Sequence, residues 1–258
     1  MVRECINIHI GQAGIQMANA AWELFCLEHG VKSDGYVPDE NDVPEDEQDG
    51  RLTFFENTPA GLFVPRAIFV DTEPTVIDEI RTGAYKGLFS QQCLINGKED
   101  ASNNFARGYY NVGRPFIPQI MRRLRQMIEE ANNLQGIIVT HAYGGGTGSG
   151  VCSLMMEKMR DFSKKTSVVQ VSIFPSLSMS TAVVEPYNCI LAAKGSQSIA
   201  DLALLMDNEA LYDLSTKKLD LVNPTYASIN RIIAQIFSTT TVCLRFNGTI
   251  NTDLDQLQ

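Results

Sequence analysis

Residues 136–159, GIIVTHAYGGGTGSGVCSLMMEKM, decide the fold. A β-branched apolar run (136–142) enters a glycine-rich loop, GGGTGSG at 144–150, and leaves it as a helical pattern of apolar residues. The order is strand, loop, helix. Glycines in such a loop let the backbone adopt positive φ and approach a ligand closely, while amides at the start of the helix point at a bound anion. The expectation is a phosphate site at the carboxyl end of a strand. No lysine directly follows the glycines, so the loop is not the P-loop of ordinary NTPases. The dinucleotide fingerprint also fits poorly, because no acidic residue closes a strand about 20 residues later.

Outward from this stretch, short β-branched runs recur at 5–10 (CINIHI), 67–70 (AIFV) and 168–174 (VVQVSIF), with amphipathic segments at 12–28, 114–132, 148–162 and 187–199. Strands that are apolar on both faces need helices on each side. The fold predicted is α/β, a doubly wound and mainly parallel sheet of Rossmann-like character, ending in a long core helix over 227–246. Residues 1–206 carry this strand and helix pattern, and 207–258 the core helix and the segment after it. The closing NGTINTDLDQLQ offers a helix start at Asp253 or Leu254 with no helix body after it, and it reads as a sequence cut short. The stretch PDENDVPEDEQDG at 38–50 has seven acidic residues, two prolines and no base, and reads as a solvated loop.

The chain has 258 residues, 44% of them apolar, and a mean hydropathy of -0.07, enough material for a large globular unit. Its formal charge of -9 disfavours non-specific binding to nucleic acid or anionic membrane, both of which need a basic face. Six scattered cysteines, without a CxxC pair, read as reduced thiols in a cytosolic protein. No stretch approaches membrane-spanning length, and MVRECINIHI has charge ahead of a run too short for a signal peptide.

Two further loops fall at the expected sheet edge. GQAGIQMAN (11–19) follows a strand and opens a helix, which places Gln12 and Gln16 at that edge. VDTEP (70–74) ends a strand with Asp71 and Glu73, oxygen donors suited to magnesium or its waters, though such a pair is commonly a helix cap or surface acid. The order, spacing and wording of these loops resemble the tubulin family, and α-tubulin in particular. The α character rests on MVREC, CLEHG (26–30), EPTVIDEIRTG (73–83) and NGKEDASNNFARGYY (96–110); the resemblance spans nearly the whole chain and is most specific at GGGTGSG, STAVVEPYN (180–188) and MDNEALYDL (206–214).

The resemblance implies a GTP-binding subunit of the microtubule cytoskeleton in the cytoplasm, with GTP and Mg2+ as cofactors and β-tubulin as partner. It also implies that Gln12, Ala13 and Gln16 line the nucleotide, with Asp71 and Glu73 near the metal and terminal phosphates. Asp100, Ala101 and Asn103 form a second phosphate loop, and Gly144, Gly145, Gly146, Thr147 and Gly148 wrap the phosphates. Thr181 and Glu185 meet the sugar region, while Asn208, Tyr226 and Asn230 select and stack guanine. These roles suit the residue types: an Asn amide offers a purine edge both a donor and an acceptor, and a Tyr ring offers a stacking face. Without the resemblance, Tyr226 reads equally well as core packing.

Three positions depart from the family pattern. Gln256 stands where an α subunit presents a glutamate to the nucleotide of its longitudinal neighbour; a neutral amide cannot take a proton, and losing such a base commonly costs about 100-fold or more. Asp253 and Asp255 lie beside it. Ala142 replaces a serine before the glycines, removing one hydroxyl contact. No lysine lies between Lys32 and Arg51, so the acetylation typical of that region has no acceptor. The expectations are therefore a polymerising α-type subunit with GTP hydrolysis in trans or, because of Gln256, a non-catalytic member that caps or slows polymer turnover. A nucleotide-dependent oxidoreductase is disfavoured by the poor fingerprint.

Overall fold

A computed structural model of the chain describes residues 3–38, 50–176, 180, 182–246, 248 and 252–257. The acidic segment, apart from its two end residues, and Thr181 lie outside them.

Six parallel strands make one sheet: β1 (Glu4–Ile10), β4 (Ala67–Asp71), β5 (Leu94–Asn96), β6 (Leu134–Ala142), β7 (Ser167–Phe174) and β8 (Leu202–Asp207), in the order β5-β4-β1-β6-β7-β8. Every neighbouring pair runs parallel, with His9 beside both Phe69 and Thr140. Two short strands, β2 (Phe55–Asn57) and β3 (Phe63–Pro65), form a separate antiparallel hairpin. The first four named strands of the sequence reading are present, and β5 and β8 extend the sheet at its two edges. Counted along the chain, the first sheet strand is central and the order reverses beside it, so the crevice for a ligand falls between the carboxyl ends of β1 and β6.

Both faces of the sheet are covered. On one lie α1 (Gly11–Glu28), α2 (Thr75–Thr82) and the long α7 (Tyr226–Arg245); Ile15, Trp22, Phe25, Val76, Ile77, Ile229, Ile233 and Phe237 share one apolar cluster with Phe69, Ile138 and Val171 of the strands. On the other lie α3 (Gly113–Glu130) and α4 (Cys152–Phe162), where Ile117, Ile120, Leu124, Met155 and Met159 pack on Ile6, Ile8, Ile10, Ile137 and Val139. Alternation along β1 sends Ile6, Ile8 and Ile10 to one face and Cys5 to the other, the period-2 consequence of the pleat. α5 (Glu185–Gln197) and α6 (Asn208–Lys217) complete the main helices. Among the described residues no helix is long and apolar enough to cross a membrane.

Polar groups lock the helical layer to the sheet. His9 is fully buried, its Nδ1 2.6 Å from Thr140 Oγ1, and its Nε2 accepts from Trp22 Nε1 at 3.0 Å, an arrangement that needs a neutral ring. Arg245, at the end of α7, is buried against the rings of Phe25, Phe54 and Phe246 and donates to Glu28 Oε2 at 2.5 Å. This ties the carboxyl ends of α1 and α7 together.

Candidate functional site

All six parallel strands end at one edge, and each is followed by a segment that lines a cavity there. Two adjoining cavities share Gln12, Ala13, Ala142 and Gly145. The smaller, about 160 Å³, is walled by Gly11, Gln12 and Ala13 after β1, Asp71 and Glu73 after β4, Asp100 and Asn103 after β5, and Gly145, Gly146, Thr147 and Gly148 after β6. The larger, about 390 Å³, adds Gln16, Gly144, Ser176, Ser180, Glu185, Asn208, Tyr212, Tyr226 and Asn230.

Local sequence explains the smaller cavity. Gly11 turns β1 directly into α1 at φ +74, a left-handed conformation open to glycine, and a Cβ on it would stand 3.1 Å from the Gly148 amide nitrogen. The helical path after β6 begins with a wide turn over Thr147–Val151 and continues as α4, so the starts of two helices converge on the cavity. Helix starts carry unpaired amides and the positive end of the dipole, and they favour an anion. Thr72 and Thr147 hydroxyls lie 2.6 Å apart, joining the loop after β4 to the glycine loop. In the loop after β5, Ser102 and Asn103 both take left-handed φ, 49 and 50, an uncommon state for non-glycine residues.

Three carboxylates face the same small space. Asp71 is buried; its Oδ1 accepts from the Thr72 amide at 2.7 Å, while its Oδ2 is buried without a hydrogen-bond partner. Burial first, and the charges of Glu73 and Asp100 after it, push the Asp71 carboxyl up to about 7. An orphaned carboxylate oxygen beside two more acids fits a divalent cation. No three of His, Cys, Asp and Glu among the described residues cluster closely enough to hold a metal by themselves. Mg2+ fits this limit, since it usually takes one or two carboxylates together with phosphate oxygens and water.

The larger cavity has a different character. Tyr226 and Asn230 stand one turn apart at the start of α7, and the Tyr226 ring meets Tyr212 edge-on at 6.3 Å between centroids. Glu185 accepts from Ser180 Oγ at 2.5 Å. A flat aromatic, two Asn amides and a carboxylate provide stacking and hydrogen-bonding chemistry for a base and a sugar.

The sequence-derived residues Gln12, Ala13, Gln16, Asp71, Glu73, Asp100, Asn103, Gly144, Gly145, Gly146, Thr147, Gly148, Glu185, Asn208, Tyr226 and Asn230 line this pair of cavities. Ala101 does not line them; it is buried beneath the loop, its Cβ 2.9 Å from where a Cβ on Gly146 would be. Gln256 is elsewhere. It closes a single 3-10 turn, Leu254–Gln256, capped by Asp253, with the Asp253 amide donating to Gln256 Oε1 at 3.3 Å. That turn packs at the amino ends of the strands, where Leu254 meets Gly136 and Asp255 accepts from Ser167. Asp253 itself pairs with Arg3 at 2.8 Å. Gln256 and the cavities are therefore at opposite ends of one sheet.

Sequence reasoning passed over Tyr212, Ser176, Ser180 and Asn188. Local signals existed for three of them, since Ser180 and Asn188 open and close the quoted STAVVEPYN segment and Tyr212 lies in MDNEALYDL, while Ser176 reaches the cavity by following β7. Over residues 4–216 the chain matches the family model described as Tubulin/FtsZ family, GTPase domain.

Proposed function

Since this chain belongs to the Tubulin/FtsZ family, we propose that its paired cavities hold GTP, phosphates in the smaller and guanosine in the larger. The observation that carries the proposal is the meeting of two helix starts, the glycine loop and three acids in one crevice. Helix amides and the glycine loop cradle the anion, Gln12 donates from the side, and Asn208, Tyr226 and Asn230 hold the purine. Glu185 and Thr181 serve the ribose. Asp71 and Glu73 would hold a Mg2+ together with phosphate oxygens and water, and it would supply neutralising charge to the phosphate oxygens. Asp71 would then be ionised, its buried oxygen satisfied.

At a finer level, the protein carrying this chain is an α-type tubulin of the cytoplasmic cytoskeleton that pairs with β-tubulin and enters microtubules, with residues 1–206 as the nucleotide domain and 207–258 leading toward a further one. The distance between Gln256 and this chain's own cavity supports action in trans: a residue at the amino end of the sheet can reach only the nucleotide of another subunit. A second reading follows from the residue type, because the Gln256 amide can orient a water but not take its proton. On that reading the subunit pairs and then caps or slows the polymer.

The test is GTP turnover by polymers assembled from a β-type partner and the protein carrying this chain, with and without Gln256→Glu. Glu keeps the Asp-x-x-Glu capping pattern, so the turn itself is preserved. A rise of about 100-fold or more supports the slow-turnover reading. Equal turnover supports an ordinary dynamic subunit, and failure to co-assemble removes the α-tubulin reading.

A further inference from the structure

Asn188 lies on α5, one turn after Glu185, and is 4% exposed. Its side chain lines neither cavity, yet it makes three hydrogen bonds to two of the loops that do. Nδ2 donates to the Asn103 carbonyl at 2.7 Å and to the Gly144 carbonyl at 2.9 Å, and Oδ1 accepts from the Phe105 amide at 3.0 Å. The orientation of the amide is fixed by these partners, because a flip would set its oxygen against two carbonyls and its NH2 against an N–H. Both donors are used and the acceptor is used, so the group is matched to this one arrangement of the loops.

We propose that Asn188 is a positioning residue for the phosphate end of the nucleotide, a role that rests on the GTP reading above. The argument runs through the peptide planes. A trans peptide points its carbonyl and the following N–H in opposite directions, so anchoring the Gly144 carbonyl on Asn188 aims the Gly145 N–H away from Asn188. Gly145 lines both cavities. Anchoring the Asn103 carbonyl holds the turn at Ser102 and Asn103 in its left-handed conformation, which has no glycine to relieve it. The same contact keeps two carbonyl lone pairs engaged with a donor and off the phosphate oxygens.

α5 is tethered again farther along. Ser196 on its last turn lies 3.2 Å from the Tyr143 hydroxyl, which accepts from Gln170 Nε2 at 2.7 Å; Gln170 in turn meets His141 at 2.6 Å. All four side chains are buried. The helix is thereby fixed to the sheet at one end, so Asn188 presents its amide to the loops from a firm base, and Glu185, three residues earlier on the same helix surface, reaches the larger cavity.

The experiment compares binding of GTP, GDP and guanosine to the wild-type chain, to Asn188→Ala and to Asn188→Ser, with melting temperature recorded for each. Asn188→Ala should weaken GTP and GDP by about tenfold while guanosine changes less than about twofold, because only the phosphate loops lose their anchor. Asn188→Ser should recover part of the loss, since its hydroxyl can donate to one carbonyl. A scaffold role alone would lower the melting temperature without changing the ratio of GTP to guanosine affinity, and an unchanged ratio overturns the proposal. Loss of the fold in both variants does so too, by assigning Asn188 to the scaffold. Wild-type chain that binds no GTP would instead overturn the parent reading, and it is read before any variant.

Discussion

Replacing Gly146 by alanine probes the contact between the two phosphate loops. A Cβ there would stand 2.7 Å from the Asn104 amide nitrogen and 2.9 Å from both the Cβ and the carbonyl oxygen of Ala101. Carbon and its neighbours rest at about 3.5 Å, so the loop after β5 must retreat by ~0.7 Å or more. These are mainly backbone atoms with no rotamer to change, and forcing an extra methyl into such a place costs about 1–3 kcal/mol. For a domain of this size ~2 kcal/mol lowers the melting temperature by roughly 4–8 °C. The retreat also withdraws Asp100 and Asn103 from the smaller cavity. A charged hydrogen bond lost there is worth about 1.5–3 kcal/mol, so GTP binding should fall at least about tenfold. Gly145→Ala is the control, because a Cβ there meets no atom within 4 Å and should leave the melting temperature unchanged. The assays are thermal melting of the nucleotide-free chain and equilibrium titration with fluorescent GTP. Gly146→Ala with wild-type melting and GTP affinity within about twofold of wild type would refute the loop-on-loop account.

Three further outcomes are expected. The histidines His9 and His29 are held down to about 3, and His141 to about 4, in each case chiefly by burial. Their folded pKa values lie below the unfolded 6.5, so the stability they contribute is complete above that pH and is lost as pH falls toward 4 and 3; from pH 7 to 5 each loses ~2 kcal/mol. Asp71, raised to about 7, works in the opposite sense in the nucleotide-free chain, because the folded state takes its proton first, and it offsets about 2 kcal/mol of the loss. Urea titrations should therefore give a net loss of about 3–4 kcal/mol between pH 7 and 5, whereas a flat or rising profile contradicts the neutral, buried histidines. Tyr226→Ala should weaken GTP by about 1–3 kcal/mol while Tyr226→Phe binds normally, measured by titration calorimetry; equal losses would argue against a stacking role. Arg245→Ala removes a buried guanidinium that packs on the rings of Phe25, Phe54 and Phe246 and pairs with the exposed Glu28, and should cost ~2 kcal/mol in chemical denaturation, with a loss below about 1 kcal/mol showing that these contacts do not hold the two helix ends.

The parts of the fold legible in the sequence are those with local causes. β1, β4, β6 and β7 announce themselves as β-branched runs, and the turn from β6 into α4 is written in its glycines. β8 was not legible in the same way: LALLMD is a short apolar run that fits a strand or a helix segment equally well, and its place at the sheet edge comes from pairing with β7. β5 has only three residues and owes its existence to the register with β4. The candidate site divides along the same line. Gln12, the glycines and the acids after β4 follow strands directly, so chain order alone puts them at the carboxyl edge. Tyr212 reaches that edge because α6 folds back beside α7, and Asn188 matters through two carbonyls and one amide that no side-chain pattern encodes. Gln256 was legible as a residue type at a family position, but its separation from the cavities required the sheet, because the closing turn returns to the amino ends of β6 and β7.

The most direct test of the central claim is equilibrium binding of GTP and of ATP to the purified chain in the presence of magnesium. The account predicts saturable GTP binding at one site and ATP binding at least about 100-fold weaker, since the two Asn amides beside Tyr226 would be left mismatched by an adenine edge. No GTP binding, or equal affinity for the two nucleotides, would contradict it.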